Sequence, residues 1–115
     1  MTEPTVHIID RVEVRPGHGR EFVGAYLADY APRARDRGLT LDRILVSPPV
    51  WMDDEPNVVT AIWSAAGPAG WWRAAIDARY DSESAGWWER MAPLVLTRTR
   101  SSAAAAADVE ALCDV

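Results

Sequence analysis

Val6-His7-Ile8-Ile9-Asp10-Arg11-Val12-Glu13-Val14-Arg15-Pro16-Gly17 is rich in β-branched residues and closes on a Pro-Gly pair, the pattern of a strand running into a turn. Alternation along an extended chain places Val6, Ile8, Val12 and Val14 on one face together with Asp10. His7, Ile9, Arg11, Glu13 and Arg15 fall on the other. The first face reads as core, and the second suits a polar-lined cavity or solvent.

After that turn the period changes. Phe22, Val23, Tyr26, Leu27, Tyr30 and Ala34 recur at three- and four-residue spacing from Gly19 to Arg37, which predicts a helix stopped by Gly38 and kinked near Ala31 by Pro32. Leu41 to Ser47 reads as a second strand, followed by Pro48-Pro49, by Val50 and Trp51, and by an acidic turn at Asp53, Asp54 and Glu55. Asn57 to Ser64 is a third strand, apolar on both faces, so a central strand covered on both sides is expected. Gly67-Pro68 opens a second helix with Trp72, Ile76 and Tyr80 in one row beside Trp71, Ala75 and Arg79. A break around Asp81 to Gly86 leads to a short third helix that carries Trp87, Trp88 and Met91 and ends at Pro93; Leu94 to Arg100 is the last strand.

The order β-α-β-β-α-β with an extra short helix predicts an α+β, ferredoxin-like domain over residues 1–100, with its helices on one face of an antiparallel sheet. The uncovered sheet face calls for a second copy of the chain. Two such sheets packed face to face enclose a barrel, so a homodimer is expected. Residues 101–115 hold a run of five alanines and read as an Ala-rich tail, helical or disordered.

Composition narrows the function classes. The chain has 115 residues and a formal charge of -5, with no basic cluster, which argues against nucleic acid and against a charged membrane surface as partners. All twelve basic residues are arginines, which removes Schiff-base chemistry on a lysine. The lone Cys113 cannot form an intramolecular disulfide, residues 1–5 carry no leader pattern, and no apolar run is long enough to span a bilayer; a cytoplasmic protein is expected.

Val12-Glu13-Val14-Arg15-Pro16-Gly17-His18-Gly19-Arg20-Glu21-Phe22 resembles the strand-turn-helix opening of the dimeric α+β barrel superfamily. The strand Val58 to Ser64 and the segment Trp88-Glu89-Arg90-Met91-Ala92-Pro93-Leu94-Val95-Leu96 resemble its NIPSNAP-like branch, which is close to the antibiotic-biosynthesis monooxygenases. The likeness covers residues 6–100. It implies a small-molecule protein, and the superfamily spans monooxygenases, polyketide cyclases, mutarotases and haem-degrading enzymes, so fold alone does not choose a reaction.

Among residues able to carry chemistry, His7 is the candidate acid or base, with a half-buried histidine bonded to backbone as the alternative. The resemblance adds that plant polyketide cyclases carry a histidine at a similar point of the first strand; Tyr80 is a loose substitute for their tyrosine, and Glu83 and Ser84 stand where their second histidine would be. Arg11, on the same face as His7, suits an enolate or carboxylate, or a structural ion pair. Asp10 points away from His7, and His18 reads as a solvated turn residue.

Six tryptophans stand in the chain, four of them as the pairs Trp71-Trp72 and Trp87-Trp88. One of each pair is needed to pin its helix to the sheet, which leaves Trp63, Trp51 and Trp72 as walls of a cavity for a hydrophobic or aromatic small molecule, with Ile9 and Tyr26 beside them. No metal-ligand spacing is present. Trp63 and Trp72 resemble aromatic positions of haem-degrading monooxygenases, but the helix histidine that would ligate iron is missing, which leaves haem the less favoured alternative. The expectation is cofactor-free acid–base chemistry, as a cyclase, isomerase or monooxygenase, on a flat or polyketide-like substrate; the alternative is a non-catalytic small-ligand-binding dimer.

Overall fold

The computed structural model describes residues 4–113. Strands β1 (Thr5–Val14), β2 (Thr40–Ser47), β3 (Asn57–Ala66) and β4 (Val95–Ala103) form one antiparallel sheet in the order β2-β3-β1-β4. Between β1 and β2 run α1 (Gly19–Ala25), a π-helical turn (Tyr26–Tyr30) and α2 (Ala31–Asp36). Helices α3 (Gly67–Arg79) and α4 (Ser82–Met91) connect β3 to β4, through a 3-10 turn at Ala92–Leu94. The expected α+β, ferredoxin-like order is therefore the observed one.

β1 takes the alternation its sequence dictates. Val6, Ile8, Asp10, Val12 and Val14 are buried under the helices, whereas Arg11 is exposed and His7, Ile9 and Glu13 are half-buried on the open face. On β3, Val59, Ala61, Trp63 and Ala65 share the helix side and Val58, Thr60, Ile62 and Ser64 the open side. The expected double cover of β3 is thus present on one face within this chain; the other has only half-buried side chains.

The first helix differs from its expected kink. The Ala31 N–H reaches back to the Tyr26 carbonyl, a five-residue step, so the helix widens just before Pro32, whose ring lacks an N–H and crowds the preceding turn. Its two inward tyrosines, Tyr26 and Tyr30, lie with ring centres 4.9 Å apart. They join Phe22, Trp63 and Trp87 in an aromatic core. Each fully buried indole removes roughly 200 Å² from water, on the order of 5 kcal/mol of transfer free energy. Trp87 is accordingly the core member of its pair.

β4 continues past Arg100, where the globular part was expected to end. Ser101, Ser102 and Ala103 pair with Ile9, Ile8 and His7, because ten-residue β1 offers hydrogen-bonding partners that far along. A 3-10 turn at Ala106–Asp108 and the short α5 (Val109–Cys113) follow; the last two residues of the expected tail lie outside the described residues.

Candidate functional site

A carboxylate on a core face needs partners, and Asp10 has three donors. Arg100, directly across the β1–β4 ladder, forks onto it with Nε at 2.6 Å from Oδ1 and Nη2 at 3.0 Å from Oδ2. The Tyr26 hydroxyl donates to Oδ2 at 2.7 Å and itself accepts from Trp63 Nε1 at 2.7 Å. Arg100 also donates to the Tyr30 hydroxyl oxygen, which accepts in addition from Arg37 Nη2 at 3.2 Å. Arg37 continues to Ser84 Oγ at 3.2 Å and Asp81 Oδ2 at 3.0 Å. One polar chain thus crosses the molecule from β3 to the start of α4.

Electrostatics fix the state of this chain. Burial and then the Asp10 charge push the Tyr26 phenol far above the ordinary tyrosine value, so it remains a hydrogen-bond donor. Burial works against the charge of Arg100, but the hydrogen bonds and charge of Asp10, with Tyr30 behind them, outweigh it and raise its pKa. Arg98, two residues earlier on the same face, lies 3.9 Å from the centre of the Trp88 ring and makes no ion pair among the described residues. Burial and then the neighbouring Arg100 charge lower its pKa, against the opposing charge of Asp10.

A cavity of about 220 Å³ opens beside this chain, between the sheet and α4, walled by Arg37, Arg98 and Arg100, by the Asp10 and Asp81 carboxylates that pair with two of them, and by Trp88. A second, of about 290 Å³, adjoins it through Arg37, Ala78 and Arg100 and runs under α3. It exists because α3 turns Ala74, Ala75 and Ala78 toward the sheet, and side chains that small cannot fill the gap between a helix and a sheet about 10 Å apart. No group of three or more His, Cys, Asp and Glu side chains suited to a metal gathers among the described residues. Nor is any described helix long and apolar enough to cross a membrane.

The residues expected to form one site are divided between two faces. His7, Ile9 and Arg11 stand on the open side of the sheet, where His7 Nδ1 lies 3.6 Å from Asp42 Oδ2, whose other oxygen accepts from Ser64. Trp63 and Tyr26 are on the helix side, because Trp63 pairs with Ile8 across the ladder and cross-strand partners share a face. They do not wall a cavity with His7; they bond to each other inside the core. Tyr80 ends α3 at 81% exposure and Trp72 is 55% exposed, since α3 faces the sheet with its alanines and turns the Trp72-Ile76-Tyr80 row to solvent. Trp51 packs against Gly19 at the start of α1 with Arg20 near its ring, held there by Asn57, which binds the backbone of Val50 and Met52. Of the expected catalytic residues none lines the helix-side cleft, and of the expected binding residues Tyr26 and Trp63 lie behind its polar wall.

The polar chain itself was not expected. Its one signal is Asp10, a carboxylate among four aliphatic residues on a core face. Its partners are 16 and 90 residues away, so they appear only once the register is known.

No protein-family model matches the chain, and neither does any curated protein. Solved structures do. An uncharacterized NIPSNAP domain protein from Burkholderia xenovorans superposes with a TM-score of 0.69 at 12% identity, covering 89% of this chain and 95% of the other. A NIPSNAP family protein from Agrobacterium tumefaciens gives 0.68 at 13% identity, with 91% and 89% covered. A second from that organism, described as of unknown function, gives 0.68 at 7% identity, with 91% and 94% covered. The chain therefore has the α+β fold of these NIPSNAP proteins.

Proposed function

We propose that the chain binds a small molecule bearing a carboxylate or enolate in the cleft between the sheet and α3–α4, and performs cofactor-free acid–base chemistry on it. The observation that carries this reading is the convergence of Arg37, Arg98 and Arg100 on one cavity in which Arg98 lacks a carboxylate and lies against the Trp88 ring. An anion at Arg98 supplies a partner for its charge, and a flat or apolar body packs beside the stacked Arg98–Trp88 pair. Benzoate is then expected to bind and its neutral isostere benzamide not, with Arg98→Gln weakening benzoate about tenfold or more, the loss of one charge-assisted hydrogen bond. Equal titration of the two by calorimetry overturns the anion site.

The catalytic part rests on Tyr30. Its oxygen already accepts from two guanidiniums, so its hydroxyl donates its proton to the ligand's carbonyl oxygen while solvent water takes the α-proton, and the phenolate left behind is held by Arg37 and Arg100 until it regains a proton from solvent. Loss of the α-proton of phenylpyruvate in D₂O, followed by NMR, is the assay. Tyr30→Phe is expected to abolish the enzyme-dependent exchange while benzoate binding persists; exchange unchanged in Tyr30→Phe removes this residue from the chemistry.

The protein is further proposed to work as a homodimer in the cytoplasm. The half-buried apolar residues of the open sheet face support the first point, and the lone Cys113, without a partner for a disulfide, fits a reducing setting for the second.

A further inference from the structure

Beyond the two cavities that make up the cleft lies a third of about 360 Å³, reached past Trp71 and Ser102, which line both it and the second. The three form a trough along the edge strand β4. Its floor is Arg98, Arg100 and Ser102, alternate residues facing Val12, Asp10 and Ile8 of β1, and its roof runs from Trp88 through Ala78 and Ala75 to Trp71. Chemistry changes sharply along it. The guanidiniums gather at the first cavity, those of Arg37 and Arg100 at its border with the second; beyond that border the second is walled by Ile8, Leu39 and alanines, and the third by Val6, Pro68, Trp72, Ala103 and Leu112.

We infer that the ligand of this trough is an elongated amphiphile, an alkyl-chain carboxylate whose head lies at Arg98 and Arg100 and whose tail follows β4 beneath α3. The inference rests on the anion-binding reading above and adds the shape of the apolar part. A compact ring fills the first cavity alone and leaves the apolar part of the second without an occupant. From Arg98 to Ser102 the floor advances about 13 Å, four residues at roughly 3.3 Å each. An alkyl chain of about ten bonds, each advancing somewhat less than the ~1.5 Å of a carbon–carbon bond, covers that length. At its end the Trp71 indole N–H donates to Ser102 Oγ at 3.1 Å and bridges roof to floor. A tail that reaches this bridge fills the second cavity; a longer one has to part it to enter the third.

Straight-chain carboxylates from butyrate to tetradecanoate, titrated calorimetrically into the intact protein, test this. Affinity is expected to rise about two- to fourfold per added methylene, the upper value being full burial, and to level off near decanoate. Ser102→Leu, at an exposed position that lines the trough without belonging to the core, is expected to bring the plateau to shorter chains and leave butyrate unaffected. Arg98→Gln is expected to weaken every member of the series alike. Affinity independent of chain length, a failure of the alkanoates where benzoate binds, or a Ser102→Leu variant that takes decanoate as the parent does overturns the elongated ligand and leaves the anion site standing. Failure of benzoate and alkanoates together removes the reading beneath it.

Discussion

Asp10 is 3% exposed and its partner Arg100 has a side chain 41% exposed, and that asymmetry decides what each substitution costs. Removing the arginine leaves a carboxylate in the core with only the Tyr26 hydroxyl to hold it, whereas removing the carboxylate's charge leaves a guanidinium that can still turn to water. Arg100→Met should therefore destabilise by about 3–5 kcal/mol, the cost of orphaning one member of a buried pair, and Asp10→Asn by roughly 2. The double variant should recover part of the loss, because no unpaired charge remains. Urea unfolding midpoints of the four proteins check this; equal losses in the two single variants would show that the pair is solvated as a unit. The same residue marks how far the site could be read in the chain. Alternation alone put Asp10 on the core face and His7 opposite it, and both placements hold. What alternation does not say is which face of the sheet carries the cavity. The histidine drew attention to the open face, while the gap that admits a ligand lies under the alanines of α3.

At the level of elements, α4 is held by the residue that precedes it, Asp81. The Asp81 carboxylate accepts from the backbone N–H groups of Glu83 and Ser84, both at 3.1 Å, and from Ser84 Oγ at 2.7 Å, while Arg33 and Arg37 reach it from α2 and the residue that follows α2. Partial burial opposes the charge, but these hydrogen bonds and the two guanidiniums prevail and lower its pKa below the free value of 3.8. A depressed carboxylate contributes stability that is fully present above the unfolded pKa and is lost as pH falls through the folded one. Asp81→Ala should cost about 1–2 kcal/mol at neutral pH from the lost cap. Asp81→Asn keeps the cap and loses the ion pairs, so its difference from the parent should be present at pH 7 and shrink only below pH 3.8, measured by thermal unfolding across the acid range. A difference that stays constant down to pH 2 would mean the charge contributes nothing. The end of α4 was legible in Pro93, a local signal, whereas its start was not, because residues 81–86 read as a break and Ser82 to Gly86 are helical behind the Asp81 cap. The π-helical turn was not, since Pro32 announces a disturbance without saying whether the helix bends or widens; packing of Tyr26 and Tyr30 against Asp10 and Arg100 selects the wider form.

The whole molecule leaves one broad surface to explain, the open face of the sheet. Ile9 pairs with Ile62 at its centre, Leu45 and Val58 flank them, and Arg11, Glu13 and His7 lie around that apolar middle. Four strands about 4.8 Å apart and roughly nine residues long at about 3.3 Å each give a flat footprint of about 600 Å² per copy. Two such faces bury about 1,200 Å², within the range of specific and stable interfaces. Packing sheet on sheet also draws His7 and Asp42 toward the interface; His7 Nδ1 has no hydrogen-bond partner among the described residues, with Asp42 Oδ2 3.6 Å away, so the pair costs little there only where it closes to a bond or stays wet at the rim. Sedimentation equilibrium at micromolar concentration should return twice the mass of the 12.7 kDa chain. Ile62→Glu places a carboxylate at the centre of the face on a side chain that is only half-buried in the single chain, so it should yield a folded monomer with native circular dichroism. The site is formed by helices and strands of one copy, so that monomer should still bind benzoate with the parent's affinity. A parent protein that sediments as a monomer leaves the apolar middle of the sheet without a partner and removes the dimer; an Ile62→Glu monomer that no longer binds benzoate would mean that the second copy supports the cleft through the sheet they share.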